Sequence, residues 1–221
     1  MTTTIRAIPG FLPSTAGFHF ANAWPHGPAI RLGARIPGPV PFELELRIGD
    51  AADGLCGGLA LAARDRWLRG EPPPPDREPP AAGTPLFAEI VRRQVDSLEG
   101  GLAIARFYRA GAAPSAVRAR IAVRDAWPAI RRQIEDGRPA VVGLIHSASA
   151  DPRRLGTNHQ VLAHAYELEG SDGRVTLSVY DPNHPDDDTI RLGLTLDEAR
   201  TGVTFSYAPS DPPVIGIVAQ R

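Results

Sequence analysis

A single cysteine, Cys56, stands at the start of a predicted helix and is the residue best suited to nucleophilic chemistry. The unpaired N–H groups of a helix N-terminus carry partial positive charge, which favours a thiolate over a thiol. Gly57 and Gly58, which follow it, each cost a helix about 1 kcal/mol relative to alanine. A substrate backbone that passes close to the thiol would explain two glycines there. A lone cysteine is also a common small core residue, so this stretch alone leaves both interpretations open.

Two residues in the second half of the chain could activate such a thiol. His159 begins a predicted strand and Asp181 ends the next one, so antiparallel pairing of the two strands would bring them close together. A carboxylate beside an imidazole fixes its tautomer, and an imidazolium beside a thiol generates a nucleophilic thiolate. Cys56, His159 and Asp181 are thus predicted to be nucleophile, general acid/base and orienting group. Taken singly, His159 could be a partly buried strand residue and Asp181 part of an ordinary turn.

Three motifs in this order resemble the papain-like cysteine peptidase superfamily. They are Cys-Gly-Gly at 56–58, Asn-His-x-Val-Leu at 158–162 and Tyr-Asp-Pro-Asn at 180–183, and they are most similar to an uncharacterised bacterial branch of that superfamily. The resemblance covers roughly residues 50–190. It implies a papain-like α+β fold, in which a helical lobe with the nucleophile on its N-terminal helix packs on an antiparallel β lobe. It also implies cleavage of a peptide or isopeptide bond in a peptide or protein substrate through an acyl-enzyme, with no cofactor.

The side chain that would stabilise an oxyanion departs from the papain pattern. Papain-like enzymes usually carry a glutamine six residues before the cysteine, and here Asp50 occupies that position. An ionised carboxylate accepts hydrogen bonds and is a poor oxyanion donor. The backbone N–H of Cys56 remains available, and Asn22 is a candidate side-chain donor. The other residues expected to position a substrate are Gly57, Gly58 and Asn158.

Two alternatives to a hydrolase stay open at this point. Asp50 in place of glutamine favours a catalytically silent papain-like module that binds a peptide or a protein. The same three residues could also serve a transglutaminase-like acyltransferase, in which an amine replaces water as the acceptor.

Local patterns predict the elements that would carry these residues. Helices are predicted over 56–69, from 84 to about 99 and from 125 to 137, and the stretch 102–109 is compatible with helix or strand. The predicted helices come first along the chain and the strands of an antiparallel sheet follow them. This order indicates an α+β fold in one domain. Its parts are an extended segment (1–50), a mainly helical lobe (51–137) and a mainly β lobe (138–221). Strands are predicted over 17–22, 41–48, 139–146, 158–168, 174–180, 188–194, 203–207 and 214–218.

The amino-acid composition and net charge of the chain limit the kinds of molecule that we expect it to bind. The formal net charge of −1 gives no electrostatic reason to expect nucleic acid or an anionic membrane as a partner. All basic residues are arginines that look scattered along the chain, which we interpret as the signature of a GC-rich genome. A single cysteine excludes an intramolecular disulfide, and neither a secretory signal nor an apolar run long enough for a membrane span is visible. We therefore expect a cytoplasmic protein; the oligomeric state is left open.

A metal site is not expected. His159 and His164 are five residues apart on a predicted strand, which places them on opposite faces. The sequence has no His-x-x-x-His or Cys-x-x-Cys spacing of the kind that binds zinc. The acidic run at 186–188 is expected to be a solvated loop.

Overall fold

The computed structural model describes residues 2–36, 42–149, 158–170, 173–196, 203–209 and 213–220 of the chain. These residues form an α+β fold in which helices pack on an antiparallel sheet, so the predicted class is confirmed. The described helices are α1 (Pro13–Ala16), α2 (Cys56–Leu68), α3 (Pro85–Asp96), α4 (Leu102–Ala112), α5 (Ser115–Ile121) and α6 (Trp127–Glu135).

Helix α2 is buried on all sides over its first two turns. Cys56 is half-buried, every residue from 57 to 63 is buried, and Arg64 is half-buried again. The helix lies between α3 and the sheet strands β4 (Ala140–Ile145) and β5 (His159–Glu169), so it has apolar neighbours on every face. Helix α2 is therefore not amphipathic over this stretch.

The other helices follow local rules with one exception. Thr84 caps α3 through a hydrogen bond from the Phe87 N–H, and the ambiguous stretch 102–109 is helical because its apolar residues recur on one face. Asp125, the first residue of the helix predicted over 125–137, lies in a π-helical segment before α6. The chain enters α6 from α5, a helix outside the predicted set, through a π-helical segment without leaving the helical conformation.

The described strands form two sheets. The larger has the order β8-β7-β6-β5-β4-β9 with antiparallel neighbours, and β1 also pairs with the C-terminal half of β5. A separate pair, β2 with β3, forms the second sheet. The bounds not yet given are β1 (Thr3–Ala7), β2 (Pro28–Ile36), β3 (Phe42–Asp50), β6 (Arg174–Tyr180), β7 (Arg191–Leu196), β8 (Val203–Tyr207) and β9 (Gly216–Ala219).

The N-terminal fifty residues differ from the prediction. They supply β1 to the main sheet and the whole second sheet, and no strand forms over 17–22. In that irregular segment the Phe18 N–H donates to the Tyr180 hydroxyl at 3.3 Å, and the Asn22 N–H donates to the Pro182 carbonyl at 2.9 Å. Its backbone is therefore satisfied by the end of β6 and the turn that follows, not by a partner strand.

No helix of the described ranges is both long and apolar enough to cross a bilayer. The acidic run at 186–188 is more than a solvated loop. Asp186 pairs with His19 and with Arg77, each at 2.5 Å, and Asp188 accepts hydrogen bonds from the backbone and hydroxyl of Ser14. These contacts tie the N-terminal segment and the proline-rich loop at 71–80 to the turn after β6.

Candidate functional site

Cys56 is the first residue of α2, and the turn before it is held in an unusual conformation. Gly54 has φ +88°, a region that disfavours residues with a Cβ, and a Cβ there would lie 2.7 Å from the Asn22 amide nitrogen. The Leu55 N–H donates to Asn22 Oδ1 at 2.6 Å. Glycine at 54 is thus required both by the backbone conformation and by the close approach of Asn22.

Cys56, His159 and Asp181 come together where the N-terminus of α2 faces the β5–β6 pair. His159 Nε2 lies 2.6 Å from Asp181 Oδ1, and the Cys56 thiol hydrogen-bonds to the same imidazole. Because Nε2 is engaged by the carboxylate, Nδ1 is the ring nitrogen left for the thiol. The strand register explains the proximity, since Leu162 pairs with Tyr180 and so aligns the start of β5 with the end of β6.

The three groups shift one another's pKa. Burial opposes ionisation of Cys56, but the charge and hydrogen bond of His159 outweigh it, together with the backbone N–H groups of Gln160 and Gly57. The pKa of the thiol is therefore lowered from its ordinary 9.0. Burial also opposes a charged His159, yet the Cys56 charge and the Asp181 hydrogen bond raise its pKa from 6.5 to about 10. Between those two pKa values the pair exists as thiolate and imidazolium.

Asp181 accepts hydrogen bonds from two further groups. The Asn183 N–H donates to Oδ1 at 2.8 Å, and the Tyr207 hydroxyl donates to Oδ2. Burial raises the pKa of the carboxyl, but the bonds from His159 and from these groups lower it below its usual 3.8. The predicted site does not include Tyr207. It comes from β8, which is separated from β6 by β7, and nothing in the sequence around it signals this contact.

Asn22 connects the two turns that carry Cys56 and Asp181. Its Oδ1 accepts the Leu55 N–H, while its Nδ2 donates to Asn183 Oδ1 at 3.0 Å. An amide nitrogen carries two hydrogens, and the second Nδ2 hydrogen has no partner among the described residues. The candidate donor predicted from sequence therefore lies beside the start of α2.

Asp50 has a different role from an oxyanion donor. Its carboxylate accepts the Gly27 N–H at 2.9 Å and the Ala52 N–H at 3.0 Å, and it pairs with His26 at 3.1 Å. The two backbone bonds and the His26 contact lower its pKa from 3.8 to about 2. Asp50 thus holds the base of the second sheet and the short 3-10 turn after it. Asp53 makes no side-chain bond to α2, and the N-cap residue of this helix, Leu55, provides no side-chain cap.

Neighbouring elements of the same chain occupy the space beside Gly57 and Gly58. A Cβ on Gly57 would lie 2.5 Å from the Ser97 hydroxyl and 2.6 Å from Gln160 Nε2. A Cβ on Gly58 would collide with the carbonyl oxygen of Ile90 in α3. The expectation that these glycines clear space for a substrate is therefore corrected, because their Cβ positions point into neighbouring elements.

We expect the Gly58→Ala variant to be destabilised by about 1–2 kcal/mol net, in spite of a helix-propensity gain of about 1 kcal/mol. The new methyl group meets backbone of α3, which cannot rotate away as a side chain could. Urea unfolding measures the difference. Gly27→Ala is the matched control, since no atom of the residues that the structure describes lies within 4 Å of its Cβ position, and it should stay within about 0.5 kcal/mol of the original chain. Equal midpoints for Gly58→Ala and the original chain would contradict the packing argument.

Asn158 and His164 fall outside the contacts of Cys56. Asn158 Oδ1 accepts the His146 N–H at 3.2 Å and so joins the end of β4 to the start of β5, directly before His159. His164 is buried and stacks on Phe11, and burial lowers its pKa to about 4. Within the described ranges no three His, Cys, Asp or Glu side chains gather closely enough to hold a metal ion.

Neither a family model, nor a curated protein, nor a solved structure matches this chain significantly.

Proposed function

We propose that this chain is a papain-like cysteine hydrolase that cleaves peptide or isopeptide bonds through an acyl-enzyme. The observation that carries the proposal is the continuous contact from the Cys56 thiol through His159 to the buried carboxylate of Asp181. The α+β architecture supports it as well. A buried helix that presents a thiol to an antiparallel sheet carrying the histidine agrees with what the three sequence motifs imply.

In the first half of the proposed reaction the Cys56 thiolate attacks the carbonyl carbon of the substrate. The new S–C bond converts the carbonyl into a tetrahedral oxyanion, and collapse of this species breaks the C–N bond. The leaving amine takes the proton from His159 Nδ1, which leaves a neutral imidazole and a thioester on Cys56. Asp181 keeps Nε2 protonated and the ring aligned throughout.

In the second half a water molecule replaces the departed amine. Neutral His159 takes a proton from the water as it attacks the thioester carbonyl. Expulsion of the thiolate releases a carboxylic acid and restores the thiolate–imidazolium pair. The raised pKa of His159 favours this restored pair near neutral pH.

Two groups beside the thiol are proposed to stabilise the oxyanion. The Cys56 N–H belongs to the first turn of α2 and has no hydrogen-bond partner among the described residues, whereas the Gly58 N–H is taken by Gln94 Oε1 at 2.8 Å. The spare Nδ2 hydrogen of Asn22 is the second donor. A backbone donor and an amide donor together would supply what the glutamine supplies in papain-like enzymes, which removes the main argument for a silent module.

The proposal is tested by alkylation of Cys56 with iodoacetamide as a function of pH. The rate should rise through a midpoint below 9.0, because the folded thiol has a lowered pKa, and then stay level until His159 loses its proton near pH 10. Since the chain has one cysteine, every adduct reports on this thiol.

The same chain unfolded in urea is the matched control, and its midpoint should return to the ordinary value. If the folded and the unfolded chain give the same midpoint, the thiol is not activated. The enzyme proposal then fails and a peptide-binding module takes its place.

A further inference from the structure

A cleft of about 670 Å³ lies on the opposite end of α2 from Cys56, between α2, α4, α6 and β9. None of the residues that form the thiol site lines it. Its Arg64 is eight positions after Cys56, which corresponds to about 12 Å along a helix. The cleft and the thiol site are thus separate places on one helix. Six arginines line the cleft: Arg64, Arg106, Arg109, Arg124, Arg132 and Arg138.

The lining carries more positive than negative charge. Among the described residues Asp125 is the one acidic residue in it, and this carboxylate lies 3.6 Å from Arg109. Arg124 and Arg132 form no ion pair with any other residue that the structure describes. Two guanidinium groups therefore face the cleft without a counterion from the described part of the chain.

Three further arginines of the lining have acidic neighbours outside it. Arg106 pairs with Glu99 at 2.5 Å and Arg138 with Asp136 at 2.9 Å. Arg64 Nε lies 3.5 Å from Asp65, which bonds more closely to Arg93 at 2.8 Å, and this Nε is buried without a hydrogen-bond partner in the described residues. Buried N–H groups normally have an acceptor, so Arg64 offers a donor that a bound anion could use.

The remainder of the lining is largely apolar. Leu68 of α2, Ile121 of α5 and Pro128 of α6 contribute to it, together with Val218 of β9. Charge and apolar surface are therefore combined in one concavity, and its volume lies within the range of small-molecule sites.

We propose that this cleft binds a small organic phosphate, in which an anionic phosphate group is attached to an apolar or aromatic body. Guanidinium groups match phosphate oxygens in a bidentate manner, and such charge-assisted bonds are stronger than neutral ones. The apolar lining would take the body of the ligand. Phosphate binding in this cleft does not depend on the thiol chemistry, because no residue is shared between the two sites.

The test measures the affinity of the full chain for ADP by titration calorimetry in 0.15 M NaCl, with adenosine, inorganic pyrophosphate and a hexaglutamate peptide as comparison ligands. We expect ADP to bind, pyrophosphate to bind more weakly, and adenosine to show no binding. Higher salt should weaken ADP binding, since the contact is largely electrostatic.

The decisive variant is Arg124→Gln with Arg132→Gln, which should weaken ADP binding at least about tenfold. The matched control is Arg92→Gln with Arg120→Gln. This pair changes the net charge equally, and both residues are exposed and outside the cleft. It should stay within about twofold of the original chain.

Equal ADP affinity in the two double variants would overturn the site, and so would no detectable binding of either ADP or pyrophosphate at millimolar concentration. Hexaglutamate binding as tight as ADP binding would overturn the ligand class in favour of an acidic peptide. Adenosine binding as tight as ADP binding would also overturn it, because the phosphate would then contribute nothing.

Discussion

Replacing Cys56 with alanine is expected to abolish hydrolysis, with kcat/KM reduced by at least about a thousandfold. Every bond-making step of the proposed reaction passes through this sulfur, and the chain has no second cysteine that could substitute. The measurement uses a pooled library of fluorogenic peptides, with p-nitrophenyl acetate as a general acyl donor. Mass spectrometry of the original chain mixed with the ester should detect an acetyl group on Cys56.

Two controls separate loss of the nucleophile from loss of the fold. Cys56→Ser keeps the shape of the side chain, but its hydroxyl has too high a pKa to ionise beside His159, so it should be nearly as inactive as alanine. Asp53→Asn alters an exposed carboxylate three residues away with no bond to α2, and it should retain activity within about twofold. Hydrolysis that survives in Cys56→Ala at a rate within about twofold of the original would refute the mechanism.

The acceptor in the second half-reaction decides between hydrolase and transferase. Adding a primary amine such as glycine methyl ester to the ester assay should leave acetate as the main product if water is the natural acceptor. Predominant formation of the acetylated amine would assign the chain to the transglutaminase-like alternative, while the role of Cys56 would stand.

The contact among Cys56, His159 and Asp181 could be anticipated because each step rests on a local rule. A glycine-rich approach to an apolar run indicates where α2 begins, and two strands joined by a short turn bring the start of one beside the end of the other. The bounds of β6 and β8 agree with their predicted ranges, and those of β4 and β5 lie within one residue of theirs. For these four strands, hydrophobic periodicity and turn residues are sufficient to predict the bounds.

Contacts between segments that are distant in sequence could not be predicted from such local rules. Tyr207 reaches Asp181 from a strand that is not adjacent to β6, and the direction in which Gly57 and Gly58 point depends on where α3 and β5 pack. The arginines give the clearest case. They are scattered in sequence, yet six of them line one cleft, because α2, α4, α6 and the segments that flank α6 all contribute arginines to it. Residue counts and spacing contain no information about that convergence.

Asp181→Asn is expected to lower both the free energy of unfolding and the reactivity of the thiol. Asp181 is 1% exposed and accepts bonds from His159, Asn183 and Tyr207. Removing its charge leaves the buried imidazolium paired with the Cys56 thiolate but no longer with the carboxylate, and we expect the free energy of unfolding in urea at pH 7 to fall by about 2–3 kcal/mol.

The pH dependence of that loss follows from the pKa shifts. The pKa of Asp181 is lowered in the folded chain, so its contribution is present above its unfolded value of 3.8 and is lost as pH falls through the lower folded value. The pKa of His159 is raised, so its contribution is complete below 6.5 and is lost as pH rises through about 10. The stability difference between Asp181→Asn and the original chain should therefore be largest at weakly acidic pH and shrink as pH rises from 6.5 to about 10.

The same variant should shift the pH at which Cys56 becomes reactive. Without the carboxylate the pKa of His159 falls, and a neutral imidazole no longer holds the thiolate, so the iodoacetamide midpoint should move up towards 9.0. Tyr207→Phe is a second variant, which tests the same carboxylate even if Asp181→Asn fails to fold. It keeps the charge but removes the hydroxyl that holds the carboxylate in place, so His159 is less firmly held and the midpoint should move in the same direction by a smaller amount. An unchanged midpoint in both variants would show that Asp181 does not act on the thiol through His159, because the two substitutions perturb the same carboxylate by different means.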